Sequence, residues 1–110
     1  MEKLFIYGSL MPNQKYHSII NKINGTWQKA FVYGEIKKIL IQKEEYQSVI
    51  LKNTDQKILG YLFSSYALSY LWKIIDNFEG QNYIRKKTKV FLNNFRFTEA
   101  YIYAYFKKNC

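Results

Sequence analysis

Glu79 is the residue whose placement asks for a chemical explanation. The segment before it carries apolar side chains at Leu68, Leu71, Trp72, Ile75 and Phe78, a helical stripe that should face a core. Glu79 follows Ile75 by four positions, Trp72 by seven and Leu71 by eight, so it shares that stripe, while Lys73 and Asn77 point away. Asp76 falls at the edge of the stripe and reads as a surface acid, and Gly80 ends the helix. A carboxylate on the apolar face of a helix C-terminus is disfavoured by lost hydration and by the negative end of the dipole. Both raise its pKa, which suits a group that takes and returns protons near neutral pH. Position alone leaves a second reading open, in which Glu79 frays outward or pairs with Arg85 or a lysine.

Tyr7-Gly8-Ser9-Leu10 follows an apolar run at 3–7. A glycine directly after a strand lets successive N–H groups turn inward and form a concave anion site. An ordinary turn has the same residues, and neither G-x-x-x-x-G-K-[ST] nor G-x-G-x-x-G is present. Ser9 lacks the G-x-S-x-G frame of a nucleophile elbow, and its base would have to be His17, the one histidine. Cys110, the one cysteine, is the last residue and poorly anchored. A Cys/His zinc site needs about four such ligands, so no metal is expected. Near the other end, Tyr101, Tyr103 and Tyr105 alternate with Ala100, Ile102 and Ala104, giving one phenol-rich face and one small face. Tyr83 and Arg85 start a strand just after Glu79, close to whatever Glu79 serves.

The elements that must position these residues can be read coarsely. Strands are predicted at 3–7, 26–41, 46–51, 58–64, 84–92 and 96–106, with Gly34 as a bend or bulge in the second. Helices are predicted at 14–23, carrying Ile19, Ile20 and Ile23 and stopped by Asn24-Gly25, and at 67–79. The order β-α-β-β-β-α-β-β implies an α+β domain, a small mixed sheet or partly closed barrel of about six strands with two flanking helices.

Composition bounds the rest. At 110 residues the chain is one domain, 1–110. With 48% hydrophobic residues and 21 aromatics, it is not disordered. Its apolar runs, at 58–63 and 100–106, fall far short of the roughly 20 residues of a membrane span. No signal peptide is read at the start, and a single cysteine fits a reducing, cytoplasmic setting. The net charge of +9 raises nucleic acid as a partner. Fifteen of the 17 basic residues are Lys, however, and they are spread along the whole chain, which is the pattern of a solvated surface.

Together these residues resemble the γ-glutamylcyclotransferase-like family, which includes γ-glutamylamine cyclotransferases and small AIG2-like proteins. Tyr7-Gly8-Ser9-Leu10 is similar to the family's Y-G-[ST]-L opening. Ile75-Asp76-Asn77-Phe78-Glu79-Gly80, with Tyr83 and Arg85, is similar to its L-D-x-[FY]-E-G…Y-x-R segment. Trp27 to Gly34, Gly60-Tyr61-Leu62-Phe63 and Ala100-Tyr101-Ile102-Tyr103 fall in family order, so the likeness covers essentially the whole chain. It implies a small barrel with one cavity. It further implies that Tyr7, Gly8, Ser9 and Leu10 hold the glutamyl end of a small-molecule substrate and that Glu79 is the acid/base. Tyr83, and less directly Tyr103, would line the pocket. The implied reaction closes a γ-glutamyl amide to 5-oxoproline and expels an amine, without a cofactor. The substrate's own α-amine is the nucleophile, which explains how a chain without Cys/His machinery could catalyse it.

Two other classes remain open: a non-catalytic small-molecule-binding module on the same fold, and a basic nucleic-acid-binding barrel using Tyr83, Arg85, Lys87, Lys89 and Phe91. The leaving amine and the oligomeric state have no motif.

Overall fold

The computed structural model describes residues 1–8, 10–41, 43–93 and 96–105, with the backbone alone at 41. Seven strands are present: β1 (Glu2–Ile6), β2 (Thr26–Tyr33), β3 (Glu35–Ile41), β4 (Glu44–Ile50), β5 (Lys57–Ser65), β6 (Tyr83–Leu92) and β7 (Phe97–Tyr105). One α-helix, α1 (Trp72–Glu79), and 3-10 turns at His17–Ile19 and Leu68–Tyr70 complete the described elements. Five strands close a barrel in the order β1-β5-β2-β6-β7, while β3 and β4 form a separate two-stranded ribbon.

The expected α+β barrel is therefore present, with one strand more and less helix than the sequence suggests. The segment 26–41 is two strands because Gly34 lies where the chain leaves the barrel for the ribbon. A Cβ there would come within 2.9 Å of the Ile50 carbonyl and 3.2 Å of the Ile58 side chain. The segment 14–23 forms only the turn His17–Ile19, which has no side-chain N-cap. Isolated short helices are marginal, and this one gains little from propensity. The segment 67–79 is helical in two parts. Its stripe survives the break because residues three apart stay on one face of a 3-10 turn, so Leu68, Leu71 and Ile75 are all buried.

β1 has a core on both faces, which accounts for its unbroken apolar run. Phe5 points into the barrel with Val32, Ile58, Leu62, Val90, Ala100 and Ile102. Gly60 makes room for that ring, since a Cβ there would stand 2.7 Å from Phe5 Cζ. Leu4 and Ile6 point the other way, against Leu68, Leu71 and Ile75 of the helical segment. Full burial of a side chain such as Ile75 contributes about 1.5–3 kcal/mol and fixes α1 on the outside of the barrel. On β7, Ala100 and Ile102 fill the barrel and Tyr103 joins the outer cluster, as the small-face, phenol-face alternation requires.

The barrel closes where β1 meets β7 in parallel, through the pair Leu4–Tyr101. Side chains brace this seam on both sides: Lys3 Nζ donates to Thr98 Oγ1 at 2.7 Å and the Tyr7 hydroxyl donates to the Tyr103 carbonyl at 2.5 Å. Among the described residues no helix is long and apolar enough to cross a membrane.

Candidate active site

β1 pairs with β5 only as far as Ile6–Tyr61, so the backbone from Tyr7 onward leaves the ladder. The chain then turns at Gly8, whose φ of +82° is the left-handed conformation that favours glycine. Nothing lies within 4 Å of a Cβ placed there, so the glycine is needed for its backbone angle and not for space. Met11 N–H donates to the Gly8 carbonyl at 3.1 Å. His17 Nδ1 lies 3.0 Å from the Leu10 carbonyl, and its ring rests against Trp27. His17 is thus half-buried and holds the Leu10 end of the loop. Leu10 is buried. Ser9 and Cys110 lie outside the described residues.

Glu79 arrives from the opposite side. It is the last residue of α1, and Gly80, with φ +85°, caps the helix by donating to the Asp76 carbonyl at 3.0 Å. A cavity of about 10 Å³ separates helix from loop, walled by residues 4–7, Leu10, Glu79 and Tyr103. That volume holds roughly one water. Glu79 is half-buried, and loss of hydration pushes its carboxyl up to about 7. Of the two sequence readings, the inward one describes the geometry, and Arg85 pairs with Asp76 instead, Nη2 to Oδ2 3.7 Å.

Three tyrosines surround this carboxyl. The Tyr7 hydroxyl, besides donating to Tyr103 O, accepts the Val49 N–H at 3.2 Å, so it ties β1, β7 and β4 together. Tyr103 donates its hydroxyl to Asp76 Oδ1 at 2.5 Å. Tyr83 shares a hydrogen bond with the buried Ser48 hydroxyl of β4. Burial raises the pKa of all three phenols, and the neighbouring Glu79 charge adds to the rise. They stay protonated donors at any physiological pH. Beyond Tyr103 a larger recess of about 350 Å³ opens between α1 and β6, lined by Asp76, Gly80, Tyr83, Ile84, Arg85 and Tyr103. Its size lies within the range of small-molecule sites.

The structure thus brings Tyr7, Leu10, Glu79 and Tyr103 to one cavity, with Tyr83 in the adjoining recess and Gly8 in the turn behind. Sequence reasoning passed over Ser48 and Val49; it read Asp76 as a surface acid, and Asp76 is indeed exposed, though Tyr103 and Arg85 engage it. Asp76 had a usable signal: it precedes Glu79 by three positions, so both lie on one side of α1. Ser48 and Val49 reach the site only because the ribbon folds back onto the barrel. Among the described residues, no group of three or more His, Cys, Asp or Glu side chains could hold a metal ion.

The Tyr7 bridge gives a stability prediction. Tyr7→Phe leaves the Tyr103 carbonyl and the Val49 N–H without their partner. The expected loss is about 1–3 kcal/mol, seen as a melting temperature lower by several degrees. An unchanged melting curve would show that neither bond matters.

Solved structures of the same fold come from bacterial, animal and plant sources, among others. YkqA from Bacillus subtilis superposes with a TM-score of 0.69 at 20% identity over 94% of this chain, which spans 35% of the length of YkqA. An AIG2-like protein from Mus musculus gives 0.70 at 14% identity, over 94% of this chain and 76% of its own. A protein from Arabidopsis thaliana gives 0.65 at 17% identity, over 94% and 61%. No curated protein sequence matches the chain at a significant level. The family model described as gamma-glutamyl cyclotransferase, AIG2-like, matches residues 4–110, and that near-complete match, on this barrel, makes the chain a member of the AIG2-like γ-glutamylcyclotransferase family.

Proposed function

We propose that the protein converts a γ-glutamyl amide to 5-oxoproline and a free amine, with Glu79 as general acid/base. The observation that carries this reading is the Glu79 carboxyl, pushed up to about 7 and facing the cavity that the Tyr7–Leu10 segment also borders. In the ionised form it takes a proton from the substrate's α-ammonium. The freed nitrogen attacks the γ-carbonyl carbon and closes the five-membered lactam. As the C–N bond to the leaving group breaks, protonated Glu79 gives its proton to the departing nitrogen, and the second proton of the ring nitrogen passes through the re-ionised carboxylate to the freed amine, leaving a neutral lactam and an ammonium. One carboxyl with a pKa near the working pH serves both steps. The protein's further contribution is to hold the substrate folded, an effect that reaches about 7–11 kcal/mol in the best intramolecular model reactions.

In this reading the backbone of Gly8, Ser9 and Leu10 holds the α-carboxylate, while Tyr83 and Tyr103 wall the leaving-group side. The cavity in this conformation has room for about one water, less than a glutamyl group occupies. The test is release of 5-oxoproline across a panel of γ-glutamyl amides and amino acids. Binding without release from every member would make the protein a small-molecule-binding module and refute the catalytic reading.

The positive charge belongs to the surface. Lys37, Lys38, Lys73, Lys86, Lys87 and Lys89 are all exposed and lie on several elements. Single-stranded nucleic acid is expected to bind weakly and to be released by physiological salt, as a salt titration of fluorescence anisotropy would read. Tight binding at that salt would instead favour the nucleic-acid reading, for which Lys87 over Tyr101 and Lys89 over Phe97 supply the stacked pairs.

A further inference from the structure

Glu79 stands among hydroxyl groups yet receives a hydrogen bond from none of them. Tyr7 of β1, Tyr83 of β6 and Tyr103 of β7 surround it, and its charge acts on each phenol. The loop after β1 adds only the apolar Leu10 to the described lining. Every one of the phenols is bonded elsewhere: Tyr7 donates to the Tyr103 carbonyl, Tyr83 shares a bond with the Ser48 hydroxyl, and Tyr103 donates to Asp76 Oδ1. Among the described residues nothing donates to the Glu79 carboxyl, which is left with the effect of its lost hydration. Of the three arrangements, that of Tyr103 involves a direct competitor of Glu79. Asp76 precedes Glu79 by three positions on α1, a spacing that sets Cβ atoms about 5–6 Å apart on one helix face. Tyr103 also walls the Glu79 cavity, so one buried phenol meets a face with two carboxyls, and at 2.5 Å its proton goes to Asp76. Asp76 is exposed and faces Arg85, Nη2 to Oδ2 3.7 Å, so water and a cation already serve it. What its bond to Tyr103 changes is where the phenol points.

We propose that Asp76 is a positioning residue: it holds the Tyr103 hydroxyl away from Glu79 and so keeps the Glu79 carboxylate free for the substrate's ammonium. The use made of that freedom rests on the cyclotransferase reading above, whereas the arrangement itself rests on the hydrogen bonds alone. A phenol proton given to Glu79 would favour the ionised carboxyl and make it a weaker base. It would also occupy an oxygen that the ammonium must reach. The other two phenols are kept off Glu79 by the Tyr103 backbone and by the ribbon, so Asp76 is the one side chain of α1 with this task.

The test reads Glu79 directly, by carbon-13 NMR titration of its side-chain carboxyl on the full chain without substrate, the signal being assigned by its absence from Glu79→Gln. Asp76→Ala frees the phenol, and the Glu79 midpoint is expected to fall by about one to two pH units. Asp76→Asn removes the same charge but keeps an oxygen that accepts the phenol, and should move the midpoint much less. Adding Tyr103→Phe to Asp76→Ala should return the midpoint toward its wild-type value. Tyr103→Phe alone should leave it in place, because the wild-type hydroxyl does not serve Glu79. In turnover, the kcat/KM limb of Asp76→Ala should move to lower pH by the same interval, with kcat lower by about 3- to 10-fold. An unmoved midpoint in Asp76→Ala, equal shifts in the Ala and Asn variants, or no return on adding Tyr103→Phe overturns the proposal. If Asp76→Ala does not fold, Tyr103→Phe decides: a raised midpoint there means that the phenol already donates to Glu79, which overturns the proposal equally. The expected midpoints without 5-oxoproline from any γ-glutamyl compound overturn the reaction and leave the positioning role standing.

Discussion

Replacing Glu79 by Gln should lower kcat on any γ-glutamyl substrate the wild type converts by about 10²–10⁴-fold, with KM changed little. Gln fills the same volume beside residues 4–7 and Tyr103 and can still hydrogen-bond, so the cavity and its loop persist. It cannot take a proton from the α-ammonium or return one to the departing amine. Shared shape with lost proton transfer therefore separates chemistry from binding, and a kinetic comparison reads the two apart. The pH profile supplies a second signature. Attack requires the ionised carboxyl, and that carboxyl is pushed up to about 7, so the wild-type kcat/KM should rise with pH through the neutral range and then level. The residual activity of Glu79→Gln should lack this limb. Full turnover by the variant would dismiss Glu79 from the mechanism.

The same substitution should make the protein more stable at alkaline pH. Burial shifts the carboxyl from its ordinary 4.5 to about 7, so the folded state binds the proton more tightly than the unfolded chain does. Below pH 4.5 the group is neutral in both states and adds no penalty. Between 4.5 and 7 folding must retain a proton that the unfolded chain has released, and stability declines as pH rises. Above 7 the group is ionised in both states and the whole penalty is present, with a ceiling of about 3 kcal/mol at ~1.4 kcal/mol per pH unit. Gln carries no such dependence. The melting temperature of Glu79→Gln should therefore exceed that of the wild type by up to about 10 °C at pH 8, and the gain should shrink toward nothing near pH 4. A gain independent of pH would mean that Glu79 is well hydrated in the folded protein.

Much of this site could be read before any coordinates, and the reason lies in periodicity. Glu79 shares a 3.6-residue stripe with Ile75, and a stripe specifies a face whatever the tertiary fold. The two-residue alternation of Ala100, Ile102 and Ala104 with the tyrosines assigned the faces of β7 in the same way. Gly8 announced a turn because its left-handed backbone favours glycine. What periodicity could not carry were contacts between distant segments. Ser48 meets Tyr83, and Val49 meets Tyr7, because Gly34 sends the chain out of the barrel into a ribbon that returns to the site. The bend was visible at Gly34, but its direction depends on the Ile50 and Ile58 atoms crowding it. Asp76 is the exposed acid its position indicates, but its partners, Tyr103 and Arg85, come from other strands and had no local signal. The shortfall of helix at 14–23 is a matter of energy: three isoleucines mark a buried side, but they can be buried from a 3-10 turn and its flanks as well.

The parallel seam between β1 and β7 bears on the life of the chain before its barrel has closed. Tyr7 and Tyr103, which meet across it, are 96 residues apart. Strand β1, with Leu4, Phe5 and Ile6 buried on both faces in the finished barrel, leaves the ribosome before the other described strands and finds its last neighbour only when β7 has emerged. At ~5–20 residues per second, that interval is roughly 5–20 s. Throughout it a strand destined for burial on both faces keeps an open edge, the condition under which chains add to one another instead of to themselves. Pairing with β5, which is made midway, shields one edge early, whereas the other waits for β7. Nascent chains stalled before β7 should thus be the aggregation-prone species, and holdase chaperones that cover short apolar strands should matter most during that window.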